Sequence, residues 1–456
     1  MTASRCAPGL KTMNDFRPFR GWRYNPDKVN FQKVLAPPYD VISPSGQAKL
    51  YEQSSHNCVR LILNQTTDAD HAADNPYTRA RDFFQAWCRE HVLIQETAPA
   101  YYFYRQVFRN SNDGTAQTRS AILGCIKTEP FESGNVIPHE KTLSRPREDR
   151  RRLLEATHTS FSPVFGLYED SRQDLKAYYE KIQSRPPVFE VEDEAKVRHA
   201  LWVVEEPELL EDIRQVLESK EIYIADGHHR YQTALEYGQS LRQKLALSDT
   251  LVTGSDFTLM ALVAFQDPGL VIFPTHRLVM SLAHAAKLSQ GSQDSKAILK
   301  PLREYFEIQT AGVSSLEDGL QKTPASVTAF GLLIKDEAFL LTLKDWQYAR
   351  RQMPAGHAEV WYRQDVNVIS HLILADLWGL PESQWESTLQ YTHSLKEAFD
   401  TVSHHAGMLA FILRPPQVEG LKEMGEAKEL MAQKSTYFYP KLASGLVFYN
   451  HDTEGF

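Results

Sequence analysis

The chain has 456 residues, with 42% hydrophobic, 11% aromatic and 24% charged side chains, enough apolar material for one or more cores and no basis for global disorder. Fifty Lys plus Arg against 58 Asp plus Glu leave a net charge of −8, which excludes a chain devoted to coating a nucleic-acid backbone or an anionic membrane. The four cysteines (Cys6, Cys58, Cys88, Cys125) form no CxxC or zinc-like spacing and fit a reducing, cytoplasmic setting, while no apolar run reaches the length of a membrane span.

Residues 1–14 lack an apolar signal core and are expected to form a flexible extension, with Met13 an alternative start. A Pro-, Gly- and aromatic-rich stretch follows, and Val59, Leu61 and Leu63 alternate so that Asn57–Leu63 predicts a strand. Phe83, Phe84 and Trp87 predict a helix over Asp82–Leu93. Tyr101–Phe108 and Arg119–Lys127 then predict two strands around the turn signal Asn110–Gly114. Residues 139–152 carry six basic and three acidic side chains, a local charge of +3, and lead into a helix around Arg150–Thr157. Leu209, Ile213 and Val216 line one stripe of a helix over Pro207–Ser219, and Glu221–Ala225 reads as a short buried strand. A helix resumes at Tyr231–Leu245, so Asp226-Gly-His-His-Arg230 occupies a strand-to-helix turn. Further on, Phe257–Phe265 predicts a strand, Ser289–Ser295 a surface segment, Val327–Ile334 and Ala338–Lys344 a hairpin, His404-His405 a surface loop, and Met408–Leu413 a strand.

The expected fold is therefore mixed α/β, with mixed sheets flanked by helices. The expected divisions are 15–128 as an N-terminal lobe, 129–280 as a nucleotide-binding core and 281–456 as a C-terminal portion completing the site.

Three polar segments could carry chemistry. In Asp226–Arg230, a glycine at the mouth of a helix lets main-chain N–H groups approach an anion, and His228, His229 and Arg230 add donors. The plainer alternative is a helix cap by Asp226 with two solvated histidines. Adjacent histidines lack the i, i+4 spacing of two metal ligands on one helical face. In Pro138-His139-Glu140-Lys141-Thr142, with Arg145, Arg147, Asp149 and Arg150 beyond, a carboxylate among cations suits a general base that meets an anionic substrate, although a solvated charged loop explains the segment equally. Gln433-Lys434-Ser435-Thr436-Tyr-Phe-Tyr-Pro-Lys441 combines hydroxyls with a lysine suited to phosphate and aromatic residues suited to a nucleobase or the core. Pro37-Pro-Tyr39-Asp40 and Pro274-Thr-His276-Arg277 each set ionisable groups at the edge of a strand, where a loop could point them into a cleft; the structural alternative is that Tyr39 and Asp40 close a turn and that His276 and Arg277 hydrogen-bond a neighbouring loop. No P-loop, kinase glycine loop, GxSxG, HExxH or GxGxxG occurs.

Taken together and in this order, FRPFRGWRYNP, LAPPYDVIS, IPHEKTL with EDR, IADGHHRYQTAL, FPTHRLV and QKSTYFYPKLASGL resemble the bacterial and archaeal domain-of-unknown-function family 1015 over roughly residues 15–450. The DGHHR segment in turn resembles the nucleotide box of the ParB/sulfiredoxin superfamily, which includes free-serine kinases. That resemblance implies a ParB/sulfiredoxin-like nucleotide-binding core and a small-molecule kinase using ATP or ADP and Mg²⁺, with free L-serine the favoured acceptor. It implies Glu140 as the hydroxyl base with His139 beside it, and Asp226 as orienter of the turn or Mg²⁺ ligand. Gly227, His228, His229, Arg230, Lys434, Ser435 and Thr436 would form the phosphate site. Lys141, Thr142, Arg145, Tyr39, Asp40, His276 and Arg277 would form the substrate side. Two other readings stand beside it: a nucleotide-dependent interaction switch, and a metal hydrolase built on His139, Glu140, His228 and His229. The cysteine chemistry of sulfiredoxins is disfavoured, because the corresponding box position holds His228 or His229. Neither nucleic acid nor membrane is an expected partner; a homodimer is compatible with the reading.

Overall fold

The computed structural model describes residues 13–110, 114–140, 144–248, 250–288, 294–405 and 407–452, without the side chains of residues 144–146. The tip of the 110–114 turn and most of Ser289–Ser295 fall outside the described residues, as do Lys141, Thr142 and the side chain of Arg145. The chain divides into two units. One takes Met1–Pro138, Thr142–Val271 and Pro440–Phe456, and the other takes His139–Lys141 and Ile272–Tyr439.

The first unit is built on a mixed sheet of nine strands among the described residues: β1 (Phe16–Arg17), β2 (Tyr101–Arg109), β3 (Ala116–Lys127), β4 (Val136–Ile137), β5 (Val164–Tyr168), β6 (Phe189–Glu192), β7 (Arg198–Val204), β8 (Ile222–Asp226) and β9 (Phe257–Ala264). Their spatial order is β4-β8-β5-β9-β3-β2-β7-β6, with β1 added along β3. The β4/β8 and β5/β9 pairs are parallel and the other neighbours antiparallel, so long crossovers are confined to the β4–β9 side. Helices α1 (Pro76–Arg89), α2 (Ser144–Thr157), α3 (Pro207–Glu218) and α4 (His228–Leu245) flank it. In α3, Leu209, Ile213 and Leu217 recur every fourth residue and are buried against the sheet, the stripe expected of an amphipathic helix, with Val216 partly buried beside them. Leu154 of α2 meets Ala234 and Tyr237 of α4 in a smaller apolar cluster.

The second unit holds a six-stranded antiparallel sheet of β10 (His276–Val279), β11 (Phe306–Ala311), β12 (Ala329–Ile334), β13 (Glu337–Leu343), β14 (Leu389–Thr392) and β15 (Leu409–Ile412). Its order is β11-β13-β12-β15-β10-β14. Ala398 and Val402 of α5 (Leu395–His404) pack on Leu333, Ala410 and Ile412. Among the described residues no helix is long and apolar enough to cross a membrane.

Mixed α/β architecture and most elements agree with the expectations, and two local readings are corrected. Val59–Ile62 is a helical turn rather than a strand. Asn57 Oδ1 accepts from Val59 N at 2.9 Å and Leu63 N reaches Val59 O at 2.8 Å, so local bonds complete a turn that buries Val59, Leu61 and Ile62 together. An apolar run this short does not define its own period. His404 ends α5 instead of sitting in a loop, its Nδ1 2.6 Å from Asp400 O; both histidines are exposed.

Candidate functional site

In the first unit, β8 ends at Asp226 and α4 begins at His228, so the Asp226–Arg230 segment is the predicted strand-to-helix turn. The N-cap is Gly227 and no side chain caps the helix, so Asp226 is not the cap of the plainer reading. Gly227 has φ +87°, and a Cβ there would stand 2.8–2.9 Å from the Arg230 guanidinium. Glycine therefore does two things: it takes the left-handed turn without strain, and it lets Arg230 fold back over the main chain. Arg230 Nη2 reaches Asp226 Oδ2 at 2.7 Å, and its Nη1 donates to the Pro163 carbonyl.

The other carboxylate oxygen, Asp226 Oδ1, is 2.8 Å from Lys441 Nζ. Although burial alone would raise it, the cations Lys441 and Arg230 hold the Asp226 carboxyl far below its usual range. One carboxylate thus organises two largely buried cations beside a helix N-terminus, leaving a local positive excess. Lys441 ends the Gln433–Lys441 segment singled out in the sequence, without a role of its own there. It lies in the PKLASGL run, 215 positions from Asp226, and no local spacing could have joined them.

Arg230 also lines a concavity within this unit, together with Tyr39, Arg150, Ser160, Ser162 and Thr233 among others. Three sequence segments therefore meet at one concavity: PPYD supplies Tyr39, EDR supplies Arg150 and DGHHR supplies Arg230. The Arg150 guanidinium sits 3.8 Å above the Tyr39 ring. It donates from Nη1 to Ile62 O at 2.8 Å and from Nε to Asp149 Oδ2 at 2.8 Å. Burial raises the Tyr39 hydroxyl, against the pull of Arg150 and Arg230. Tyr39 lies in a short 3₁₀ turn after Pro38 rather than at a strand edge, and Asp40 is exposed and absent from the lining. His228 is buried and His229 half-buried at the start of α4. Two guanidinium groups, hydroxyls and a stacked tyrosine lining one concavity are groups suited to a phosphate-bearing small molecule.

In the second unit, Glu140 pairs in parallel with Met431, and Met431 N donates to His139 O at 2.7 Å. Glu140 Oε1 accepts from Ser435 N (3.0 Å), Thr436 N (3.1 Å) and Thr436 Oγ1 (3.0 Å). Lys434 has φ +54°, which aims the next two amides at one point and makes a small anion-binding nest. The nest holds Glu140, not a phosphate. His139 Nε2 is 2.9 Å from Thr436 Oγ1; because that hydroxyl's one proton goes to Glu140, the ring nitrogen is the donor. The Ser435 hydroxyl donates to Ala432 O, and Lys434 is exposed. As a phosphate site the Lys434-Ser435-Thr436 turn thus has its amides and hydroxyls committed within the chain.

His276 and Arg277 lie in β10, at 0% and 2% exposure, so neither stands at an open cleft edge. Arg277 donates to Thr275 O (3.1 Å) and Gln433 O (3.3 Å) and lies 3.5 Å from Ser435 Oγ, bracing the turn that holds Glu140. Burial lowers it to about 10 despite the opposing pull of Tyr391 and Glu140, and burial lowers His276 to about 4. Its Nδ1 accepts from Leu413 N at 3.2 Å.

The donor set does not fit the expected Mg²⁺. Both Asp226 oxygens face cationic side chains, and among the described residues no group of three or more His, Cys, Asp or Glu side chains could hold a metal ion. The same finding leaves the metal-hydrolase reading without a ligand cluster.

Three of the solved structures that match the chain are the following. A free serine kinase mutant in complex with AMP has a TM-score of 0.33 and 13% identity, over 67% of this chain and 84% of that one. A conserved hypothetical protein from Pyrococcus furiosus has a TM-score of 0.32 and 15% identity, over 68% and 89%. C-terminally truncated SbnI from Staphylococcus aureus has a TM-score of 0.34 and 10% identity, over 71% and 85%. No functionally curated protein matches the sequence. The model of the family described as protein of unknown function (DUF1015) matches residues 16–367, and the chain belongs to that family.

Proposed function

We propose that the protein is a small-molecule kinase that transfers a phosphoryl group from ATP or ADP to the hydroxyl of a free amino acid. L-serine is the proposed acceptor, because the DGHHR and PHE segments resemble those of free-serine kinases. The observation that carries the reading is the first unit's cavity, where Arg150 and Arg230 meet beside the glycine turn at the start of α4. Phosphoryl transfer asks mainly for positioning and charge stabilisation, which two guanidinium groups and helix N–H groups supply. In the proposed step the acceptor oxygen bonds to the terminal phosphorus, the bond to the bridging oxygen of the departing nucleotide breaks, and the hydroxyl proton goes to a general base, the role that the resemblance to free-serine kinases gives to Glu140. No step is assigned to a metal ion.

The test is phosphorus NMR on the full chain with L-serine and either nucleotide in Mg²⁺-containing buffer, beside Glu140→Gln. The glutamine keeps a carbonyl oxygen able to accept from Ser435 N, Thr436 N and Thr436 Oγ1, so the substitution removes the base while preserving the nest. A phosphoserine resonance is expected from the native chain and not from the variant, with ADP affinity equal within a few-fold. Normal turnover in the variant would leave Glu140 as a tether alone. Arg230→Ala is expected to weaken nucleotide binding by about 1.5–3 kcal/mol, the value of a charge-assisted hydrogen bond.

The three bonds on Glu140 Oε1 favour one second reading, a nucleotide-dependent switch in which that carboxylate never meets a substrate. Bound nucleotide that stays intact while light scattering changes would select it.

A further inference from the structure

Five serine and threonine side chains line the first unit's concavity, and their hydroxyls are unequally occupied. Thr159 Oγ1 donates to Thr157 O at 2.8 Å, Ser160 Oγ is 2.9 Å from His451 Nε2, and Ser162 Oγ is 2.8 Å from Ser444 Oγ. Thr233 Oγ1 is 3.5 Å from Arg147 O, beyond the usual reach of an O–H···O bond. The fifth is Thr258, whose hydroxyl makes no hydrogen bond to any of the described residues.

Thr258 belongs to β9, inside the nine-stranded sheet, and every other residue of Phe257–Ala264 is apolar. Its main chain is taken up by the ladder opposite Ile126 of β3, and the residue is 2% exposed. Valine would supply the same β-branched shape and the same preference for a strand without a polar atom. The hydroxyl therefore adds nothing to the strand, and burying it without a partner opposes folding. Its use is set by what shares the concavity. Arg230 and Thr233, at i and i+3, lie on one face of α4, and Arg150 stands on the same wall, so the site is cationic. Phosphate oxygens accept hydrogen bonds, and a hydroxyl proton with no competing acceptor can be given to one without breaking a bond inside the protein.

We propose that Thr258 is a ligand-contacting residue of this concavity and donates a hydrogen bond to an oxygen of a phosphate or diphosphate group held by Arg150 and Arg230. This deepens the kinase reading and rests on it for the nucleotide, while the contact itself requires only a phosphate group. With no base hydrogen-bonded to it among the described residues, the hydroxyl acts as a donor and not as a nucleophile.

Calorimetric titration with ADP and with inorganic pyrophosphate, on the native full chain and on Thr258→Val, Thr258→Ser and Arg230→Ala, tests the assignment, with Tm measured on each. Thr258→Val is expected to weaken both ligands about tenfold, as for loss of a hydrogen bond to a charged group, while its Tm equals or exceeds that of the native chain. Thr258→Ser keeps the hydroxyl and is expected to bind within a few-fold of native. Unchanged affinity in Thr258→Val beside weakened binding in Arg230→Ala would overturn the contact and leave the nucleotide reading standing. Affinity and Tm that fall together in both Thr258 variants would make the residue structural and overturn the proposal. Pyrophosphate binding that depends on Thr258, without ADP binding, would overturn the nucleotide reading and leave this contact standing. A native chain that binds neither ligand would overturn both.

Discussion

The acid cluster of the first unit and that of the second solve one problem in two ways. Asp226 is held by the side-chain cations Arg230 and Lys441, whereas Glu140 is held by two main-chain amides and one hydroxyl. Side-chain cations can re-aim toward an incoming anion, since rotation about their long stems disturbs no main-chain bond. Amides in a nest have no such freedom, and an anion entering there must first expel the carboxylate. The first arrangement is therefore suited to exchanging partners with a ligand, and the second to fixing a strand segment to a turn.

The sharpest way to break the comparison is Asp226→Ala. It would leave Arg230 and Lys441 largely buried without their counter-charge, and a loss of about 3 kcal/mol in urea unfolding is expected. A near-silent result would mean that the cations relax into water, so that the cluster is poised for a ligand rather than for stability.

A second acid of the first unit, half-buried like Asp226, separates the effect of cations from that of desolvation. Asp267 accepts from Ser120 N and Gly269 N, and burial raises it to about 6. An acid whose folded pKa is raised holds its proton when the unfolded chain has already lost it, so stability falls as pH rises from about 4 to about 6. For Asp226 the sign is opposite, and its contribution is lost as pH drops below the ordinary carboxylate range of about 4. Asp267→Asn is expected to flatten the first slope, by roughly 2 kcal/mol between pH 4 and 7, and to leave the acid limb unchanged.

Gly227→Ala comes next. A left-handed φ costs an L-residue about 1–2 kcal/mol, and the new Cβ would displace the Arg230 guanidinium, so a lower Tm should accompany weaker ADP binding. Loss of Tm without loss of affinity would detach Arg230 from the ligand. The smallest effect is expected from Thr436→Val, which removes one of the three bonds on Glu140 and the acceptor of His139 Nε2. About 1 kcal/mol of stability should be lost with ADP affinity unaltered. A large affinity change there would show that the nest too exchanges its carboxylate for ligand.

Local chemistry made much of the chain readable. The fourfold spacing of Leu209, Ile213 and Leu217 places the buried stripe of α3, the β2/β3 hairpin follows from two apolar runs around a turn signal, and Gly227 marks the one turn residue able to take a positive φ between β8 and α4. Periodicity and turn chemistry act over a few residues, so they are legible without the fold. The same reasoning failed at Val59–Ile62, where four residues satisfy either period and Asn57 decides.

What each polar motif touches was a matter of tertiary structure. Arg277 and His276 read as cleft residues but are core members of β10, and Ser435 and Thr436 read as phosphate donors but spend their amides on Glu140. Lys441 and Arg150 stand in segments legible as polar motifs, but nothing local shows what either one meets. They become a charge cluster and a cavity wall only because chain closure brings position 441 to 226 and position 150 to the concavity that Arg230 lines. Sequence spacing records which groups are available, whereas burial and long-range pairing determine which of them are already satisfied, and only an incompletely satisfied group has hydrogen bonds left for a ligand.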